Sequence, residues 1–321
     1  MAGFLSRTLL SLGLLMLLTA CGNGMDKQIE NYQQLVDQRL VTLGDALRDG
    51  QVRNATLLKQ YANLLGQEQP HYAMLAEEIA KDAGTSGPLY LSLQRRYQDS
   101  LKLSNFPNQE EQLAELENLY QATDPALFND MLSDPINVLA DMSKGTLARV
   151  NSVSREAEAL ANNTDNFGAG SQLVGNPAYG EWRTDSNGMS FWAWYGMYSL
   201  FSDLFDRRVY YRDWSGRRGY SYYNDIGRYR YSSPKQIRTQ ESVFQQQKKR
   251  FDNQGKTFSS PYAKTRSGAS GLSRQSAQAP SPAKAASASS ASQSKFRSNY
   301  AKSSSHRNAS SRTTRSVSRG K

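Results

Sequence analysis

Between residues 26 and 164 apolar side chains return every three or four positions. Ile29, Tyr32, Leu35, Val36, Leu40, Leu43 and Leu47 share one stripe at 3.6 residues per turn, which predicts a helix with one face inward. Gly50 follows as the achiral residue that often ends such a helix. A second helix is expected from about Asn54 to Gly66, with Leu57, Leu58, Tyr61, Leu64 and Leu65 inward, and Pro70 opens a third. The stretch from Gly84 to Pro88 then breaks the chain before Tyr90, Leu91, Leu93 and Tyr97. Asp124-Pro125 and Asp134-Pro135 each read as an N-cap carboxylate before a proline at the first helical position. The last helix of the series is expected from Ile136 to about Ala161. Short links between helices favour antiparallel neighbours, so residues 26–165 are read as a helical domain, an antiparallel bundle.

The pattern changes at Phe167. The run Phe191 to Phe201 carries no charge and is apolar all round. It is read as a short helix that docks on the bundle, or meets a membrane interface or a partner through its aromatic rings. Tyr210-Tyr211-Arg212-Asp213-Trp214 is echoed twelve residues later by Tyr222-Tyr223-Asn224-Asp225-Ile226, which predicts two strand-and-turn units forming a small hairpin. Trp192, Trp194, Tyr210, Tyr211, Trp214, Tyr222 and Tyr223 are therefore candidate partner-binding residues of an aromatic module spanning 166–231.

After Ser233-Pro234 the periodicity is lost. Ser, Ala, Gln, Lys and Arg dominate residues 232–321, which are expected to be disordered apart from a transient helix over 240–252. Two islands interrupt this segment. Phe258-Ser259-Ser260-Pro261-Tyr262-Ala263-Lys264-Thr265-Arg266-Ser267 matches residues 296–305 at Phe296, Ser298, Tyr300, Ala301, Lys302 and Ser305. Phe258, Tyr262, Phe296 and Tyr300 join the candidates as aromatic anchors of two weak binding motifs. The expected fold class is thus mainly α: an N-terminal antiparallel helical bundle, a small aromatic-rich α/β-hairpin module and a long disordered basic C-terminal tail.

Charge sharpens this division. Residues 22–165 hold 12 Lys and Arg against 21 Asp and Glu, whereas residues 166–321 hold 26 against 8. The overall excess of +10 hides an acidic half and a basic half, and a cationic segment of this kind points to an anionic partner.

Candidate chemistry is sparse. The acid clusters Glu77-Glu78, Glu110-Glu111 and Glu115 with Glu117 lie among Gln, Asn and Lys and are read as solvated faces rather than an acid–base pair across a cleft. His71 and His306 are the only histidines, too few for a zinc site or a histidine triad with other support. Ser281 to Lys284 and Ser292 to Lys295 have the Ser-x-x-Lys spacing without a packed setting. No cofactor is expected, and without a recognised binding motif nucleic acid is not an expected partner.

The N-terminus carries the most specific signal. Arg7 and the α-amino group precede Leu9 to Leu18, ten residues without a charge. That is half of what a bilayer-spanning helix needs, and it has the form of an export leader. Leu18-Thr19-Ala20-Cys21 then resembles the lipobox of bacterial lipoproteins, where the cysteine is lipidated and becomes the first mature residue. Cys21 is also the sole cysteine. The resemblance implies a signal peptide over 1–20, a lipidated linker over 21–25 and several acyl chains anchoring the protein to a bilayer. Gly22 stands where an Asp directs lipoproteins of this class to the inner membrane, which implies the outer membrane; the residue leaves the face open, and the periplasmic face is the expected one.

Glu241-Ser242-Val243-Phe244 and Gly268-Ala269-Ser270-Gly271-Leu272 are similar to fragments of the lytic transglycosylase signature. They stand too far apart for that family and lack its surrounding helical domain. The functional expectation is a non-enzymatic envelope lipoprotein, a tethered scaffold or binding protein whose cationic tail contacts an anionic envelope polymer or an acidic protein. The alternative is a peptidoglycan-acting enzyme or its activator.

Overall fold

A computed structural model of the chain describes residues 2–205 and 207–271, with side chains from residue 24 onward. Helix α1 (Ala2–Arg48) continues upstream of the start expected near residue 26. Its inward stripe is the predicted one, with Ile29, Val36, Leu40, Leu43 and Leu47 buried. Gly50, at φ +70°, turns the chain out of α1 in a conformation that costs glycine little. Helix α2 (Arg53–Glu68) buries Leu58 and Leu65, whereas Leu64, expected inward, is exposed. A 3-10 turn at Pro70–Tyr72 leads into α3 (Ala73–Ala80), followed by α4 (Pro88–Ser100) and α5 (Gln109–Ala122). Helix α1 lies against α4 and α5, and α2 against α3.

Asp124 caps α6 (Pro125–Met131) as predicted, accepting the Ala126 N–H at 2.9 Å. Asp134 does not cap its own helix. Helix α7 (Ser133–Met142) begins one residue earlier, and the fully buried Asp134 carboxylate accepts the backbone N–H groups of Tyr222 and Tyr223 at 2.7 and 2.9 Å. The single helix expected over 136–161 is two. Lys144 and Gly145 take positive φ after α7, and Ser154 restarts the chain as the cap of α8 (Arg155–Asn162), accepting from Ala157 N–H.

The aromatic segment also departs from expectation. Residues 191–201 are not one helix. Strands β1 (Gly180–Thr184) and β2 (Ser190–Trp194) pair antiparallel, with Trp182 opposite Trp192, and only after Tyr195 does the chain form a 3-10 turn and α9 (Leu200–Phe205). The Asp185 carboxylate holds the hairpin turn by accepting from Asn187 and Met189 N–H. Gly180 is required because a Cβ would lie 2.4 Å from the Ala193 carbonyl oxygen. The twelve-residue repeat is no hairpin: its first copy opens α10 (Tyr211–Arg217) and its second forms a π-helical turn at Tyr223–Gly227.

Tyr179, Tyr198, Phe201, Tyr222, Tyr223 and Tyr231 share one hydrophobic core with α1 to α7. The boundary expected at 165/166 is therefore absent. The expected disorder from residue 232 is also corrected as far as residue 271. A capping box between Ser233 and Gln236 starts α11 (Pro234–Asp252), which buries Gln240, Val243 and Gln247. Few aliphatic residues mark its inner face, so hydrophobic periodicity does not reveal it. The fold is mainly helical with one two-stranded antiparallel sheet. Among the described residues, no helix is long and apolar enough to cross a membrane.

Candidate functional site

The strongest concentration of chemistry among the described residues is an aromatic seat built by β1, β2, α10 and α11. Register brings Trp182 and Trp192 together on one face of the hairpin, with ring centroids 5.1 Å apart and edge-to-face. Trp182 also meets Tyr211 at 4.8 Å and Trp214 at 5.1 Å, both carried by α10. From α11, Phe244 and Phe251 complete the wall.

Residues 258–267 lie in this seat. Phe258 sits 4.7 Å from Phe251, 6.0 Å from Phe244 and 6.1 Å from Tyr211. Tyr262 approaches Trp214 edge-on at 6.2 Å, and the Arg228 guanidinium lies 3.7 Å above its ring. Between them, the Pro261 carbonyl accepts from Arg218 Nε at 3.1 Å and Nη2 at 2.9 Å. Arg218 is fixed in turn by a two-pronged bond to Asp225, at 2.8 and 2.7 Å. Asp225 then accepts the Arg266 backbone N–H at 2.9 Å. Asn162 brackets Ser267 through both backbone groups, and Val153 N–H donates to the Gly268 carbonyl at 2.8 Å.

Several polar atoms in the seat are buried without a protein hydrogen-bond partner among the described residues: the indole nitrogens of Trp182, Trp192 and Trp214, the hydroxyls of Tyr211 and Tyr262, and Arg266 Nε. Burial pushes the Tyr211 and Tyr262 hydroxyls well above the ordinary phenol range and lowers Arg266, which also feels the Arg218 charge. Ring packing and backbone hydrogen bonds hold the segment, while the Tyr262 hydroxyl and Arg266 Nε gain no partner there.

The sequence-predicted candidates therefore fall into three sets. Trp192, Tyr211, Trp214, Tyr222, Tyr223 and Phe258 are buried, so they build the interior and present no free partner surface. Trp194, Tyr210 and Tyr262 are partly buried. Phe296, Tyr300, both Ser-x-x-Lys pairs and the side chain of Cys21 lie outside the described residues.

The buried carboxylates have structural partners. Glu115, expected on a solvated face, is 1% exposed and binds Arg96 through both oxygens, at 2.7 and 2.9 Å; Arg96 also donates to the Arg230 carbonyl. Arg149 is shared by Asp141 and Glu158 in a polar depression beside Gln172 and Tyr220. Asp82 accepts from Leu89 N–H and from the Tyr179 hydroxyl at 2.7 Å, which ties α4 to the aromatic segment. Burial raises Asp82 to about 7 against these hydrogen bonds, and raises Asp134 to about 7 in the same way. Glu241 of the transglycosylase-like fragment is exposed and accepts from Gln245, while Val243 faces the seat. Among the described residues, no group of three or more His, Cys, Asp or Glu is placed to hold a metal. No protein-family model, curated protein or solved structure matches the chain.

Proposed function

We propose that this protein is a cell-envelope lipoprotein, anchored through acylated Cys21 at the periplasmic face of the outer membrane. It acts there as a tethered scaffold whose cationic C-terminal segment binds an anionic envelope component. The observation that carries the reading is the lipobox-like Leu18-Thr19-Ala20-Cys21 at the end of a ten-residue uncharged run. A single acyl chain binds a bilayer only marginally, so stable anchoring rests on the several chains such lipoproteins carry.

Charge supports the second half. Residues 1–271 contain 29 Lys and Arg and 29 Asp and Glu, whereas residues 272–321 contain 10 and none. The whole excess belongs to the last 50 residues. Each such cation near an anionic surface contributes about 1 kcal/mol, graded by salt. The buried carboxylates favour a scaffold over an enzyme because each is engaged in holding elements together.

Metabolic labelling with a clickable fatty acid tests the anchor. The native chain takes up label and fractionates with the outer membrane, and Cys21→Ala gives an unlabelled, unprocessed precursor. Normal labelling of Cys21→Ala would overturn the proposal.

A further inference from the structure

We propose that the turn joining α4 and α5 is a membrane contact, through which Leu101 and Leu103 enter the surface of a zwitterionic lipid leaflet beside the acyl anchor. The inference rests on the acylation of Cys21 proposed above and adds a second point at which the protein meets the bilayer.

Packing against α1 puts this turn at the anchored end. Helix α4 runs antiparallel to α1. Near its start the Tyr90 hydroxyl donates to the Leu40 carbonyl at 2.9 Å, and at its end the Ser100 carbonyl accepts from Gln33 Nε2 at 3.3 Å. Helix α5 then runs parallel to α1. Its first residue, Gln109, donates to the Asp26 carboxylate, and near its end the Tyr120 carbonyl accepts from Arg39 at 2.8 Å. Residues 101–108 therefore lie at the end of the bundle marked by Asp26. Cys21 is 5 residues before Asp26, a reach of at most roughly 18 Å. Lipid on Cys21 thus holds this end of the bundle against the bilayer.

The turn is ordered and apolar. Asn105 N–H donates to the Lys102 carbonyl at 3.1 Å, Phe106 N–H to the Leu103 carbonyl at 2.9 Å and Asn105 Nδ2 to the Asp99 carbonyl at 2.8 Å. Just before it, the Ser100 carbonyl accepts from Gln112 Nε2 at 2.8 Å as well as from Gln33. This fixed backbone presents Leu101 and Leu103, 42% and 44% exposed. A lone exposed leucine needs no explanation. Two on one ordered turn, within reach of a lipid anchor, suit an edge that sinks roughly 5–10 Å into the headgroup boundary.

Charge selects the lipid. Across residues 24–30 and 99–110 the exposed acids Asp26, Glu30, Asp99 and Glu110 outnumber the exposed Lys27 and Lys102. An anionic surface repels such a rim, so the turn suits lipids without net charge, unlike the cationic C-terminal segment. Acyl chains alone leave the body free to rotate about its tether, and the second contact fixes its tilt.

The test uses the full chain, acylated in cells and reconstituted into phosphatidylcholine vesicles that contain a lipid with a nitroxide quencher high on its acyl chain. Acylation consumes Cys21, the sole cysteine, so Leu103→Cys offers one free thiol for an environment-sensitive fluorophore. Val41→Cys is the reference, an exposed position of α1 about 22 Å along the helix from Asp26. The label at 103 is expected to be quenched on the order of twofold and the label at 41 to be unaffected. The quenching should survive high salt and be lost when Leu101→Asp is added. Lys102→Cys keeps both leucines and is the second labelling site if Leu103→Cys does not melt cooperatively; the same result is expected there. Equal quenching at both ends, loss of quenching in high salt or indifference to Leu101→Asp would overturn the contact while acylated Cys21, read from the peptide mass, leaves the anchor standing. An unmodified Cys21 would overturn the anchor and the contact together.

Discussion

The carboxylate of Asp134 accepts the backbone N–H of Tyr222 at 2.7 Å, so a residue of α7 caps a turn 88 residues further along the chain. The second carboxylate oxygen takes the next N–H, from Tyr223. Two buried donors depend on this one side chain. Each would cost about 1–3 kcal/mol if left unpaired. Asp134→Ala is therefore expected to destabilise the body by about 2–5 kcal/mol in urea unfolding at pH 8, where the side chain is ionised, and a loss below about 0.5 kcal/mol would contradict the cap.

Asp82 and Asp134 set a pH dependence of definite sign. Their folded pKa values, about 7, lie above the unfolded value of 3.8. The folded state therefore binds protons more tightly, and its advantage is full below pH 4 and lost as pH rises through 7. These two groups alone make the body less stable at pH 8 than at pH 5.5. Asp82→Asn keeps an oxygen for Leu89 N–H and offers an amide to the Tyr179 hydroxyl, so it should remain folded and flatten the slope of melting temperature against pH. An unchanged slope in Asp82→Asn would count against the buried carboxylate as its source.

Arg96 and Glu115 form a pair that is nearly inaccessible on both sides. Removing one partner leaves a buried charge, so Arg96→Met should cost about 3–5 kcal/mol, whereas Arg96→Met with Glu115→Leu should recover most of that loss. A double-mutant cycle measures it; additive losses would mean that the two do not interact.

Limited trypsin digestion maps how far the packed body extends. Lys235, Arg238, Lys248, Lys249 and Arg250 lie in α11. The retained fragment is expected to run past Lys256 and to keep Phe258. Early cleavage within 235–250, leaving a body that melts unchanged, would contradict the packing of α11 and the seat.

How much of this was legible in the sequence depends on what marks each element. The stripe from Ile29 to Leu47, the Asp124 cap and the Gly50 stop are local signals, and the structure carries them as read. The Asp134-Pro135 pair gave the same local signal, but its carboxylate is taken by the distant Tyr222 and Tyr223. Glu115 looked solvated among polar neighbours because its partner, Arg96, sits on another helix. Helix α11 faces inward with Gln240, Val243 and Gln247, a set that hydrophobic periodicity does not register. The segment after it is held by the two rings of Phe258 and Tyr262 and by backbone bonds, so low-complexity composition concealed an ordered strap. The repeat between 258–267 and 296–305 is legible in the sequence, but only the structure shows which positions of the first copy make contacts, Phe258, Ser260 and Tyr262 among them.

Lipid on Cys21 is what we propose holds this chain in the envelope, and the mass of the mature N-terminal peptide decides it. A peptide that begins at Cys21 and carries a diacylglyceryl thioether, with or without an N-acyl chain, is expected. A mature protein that begins at Met1, or at any residue other than Cys21, with an unmodified thiol or no cysteine at all, would contradict it.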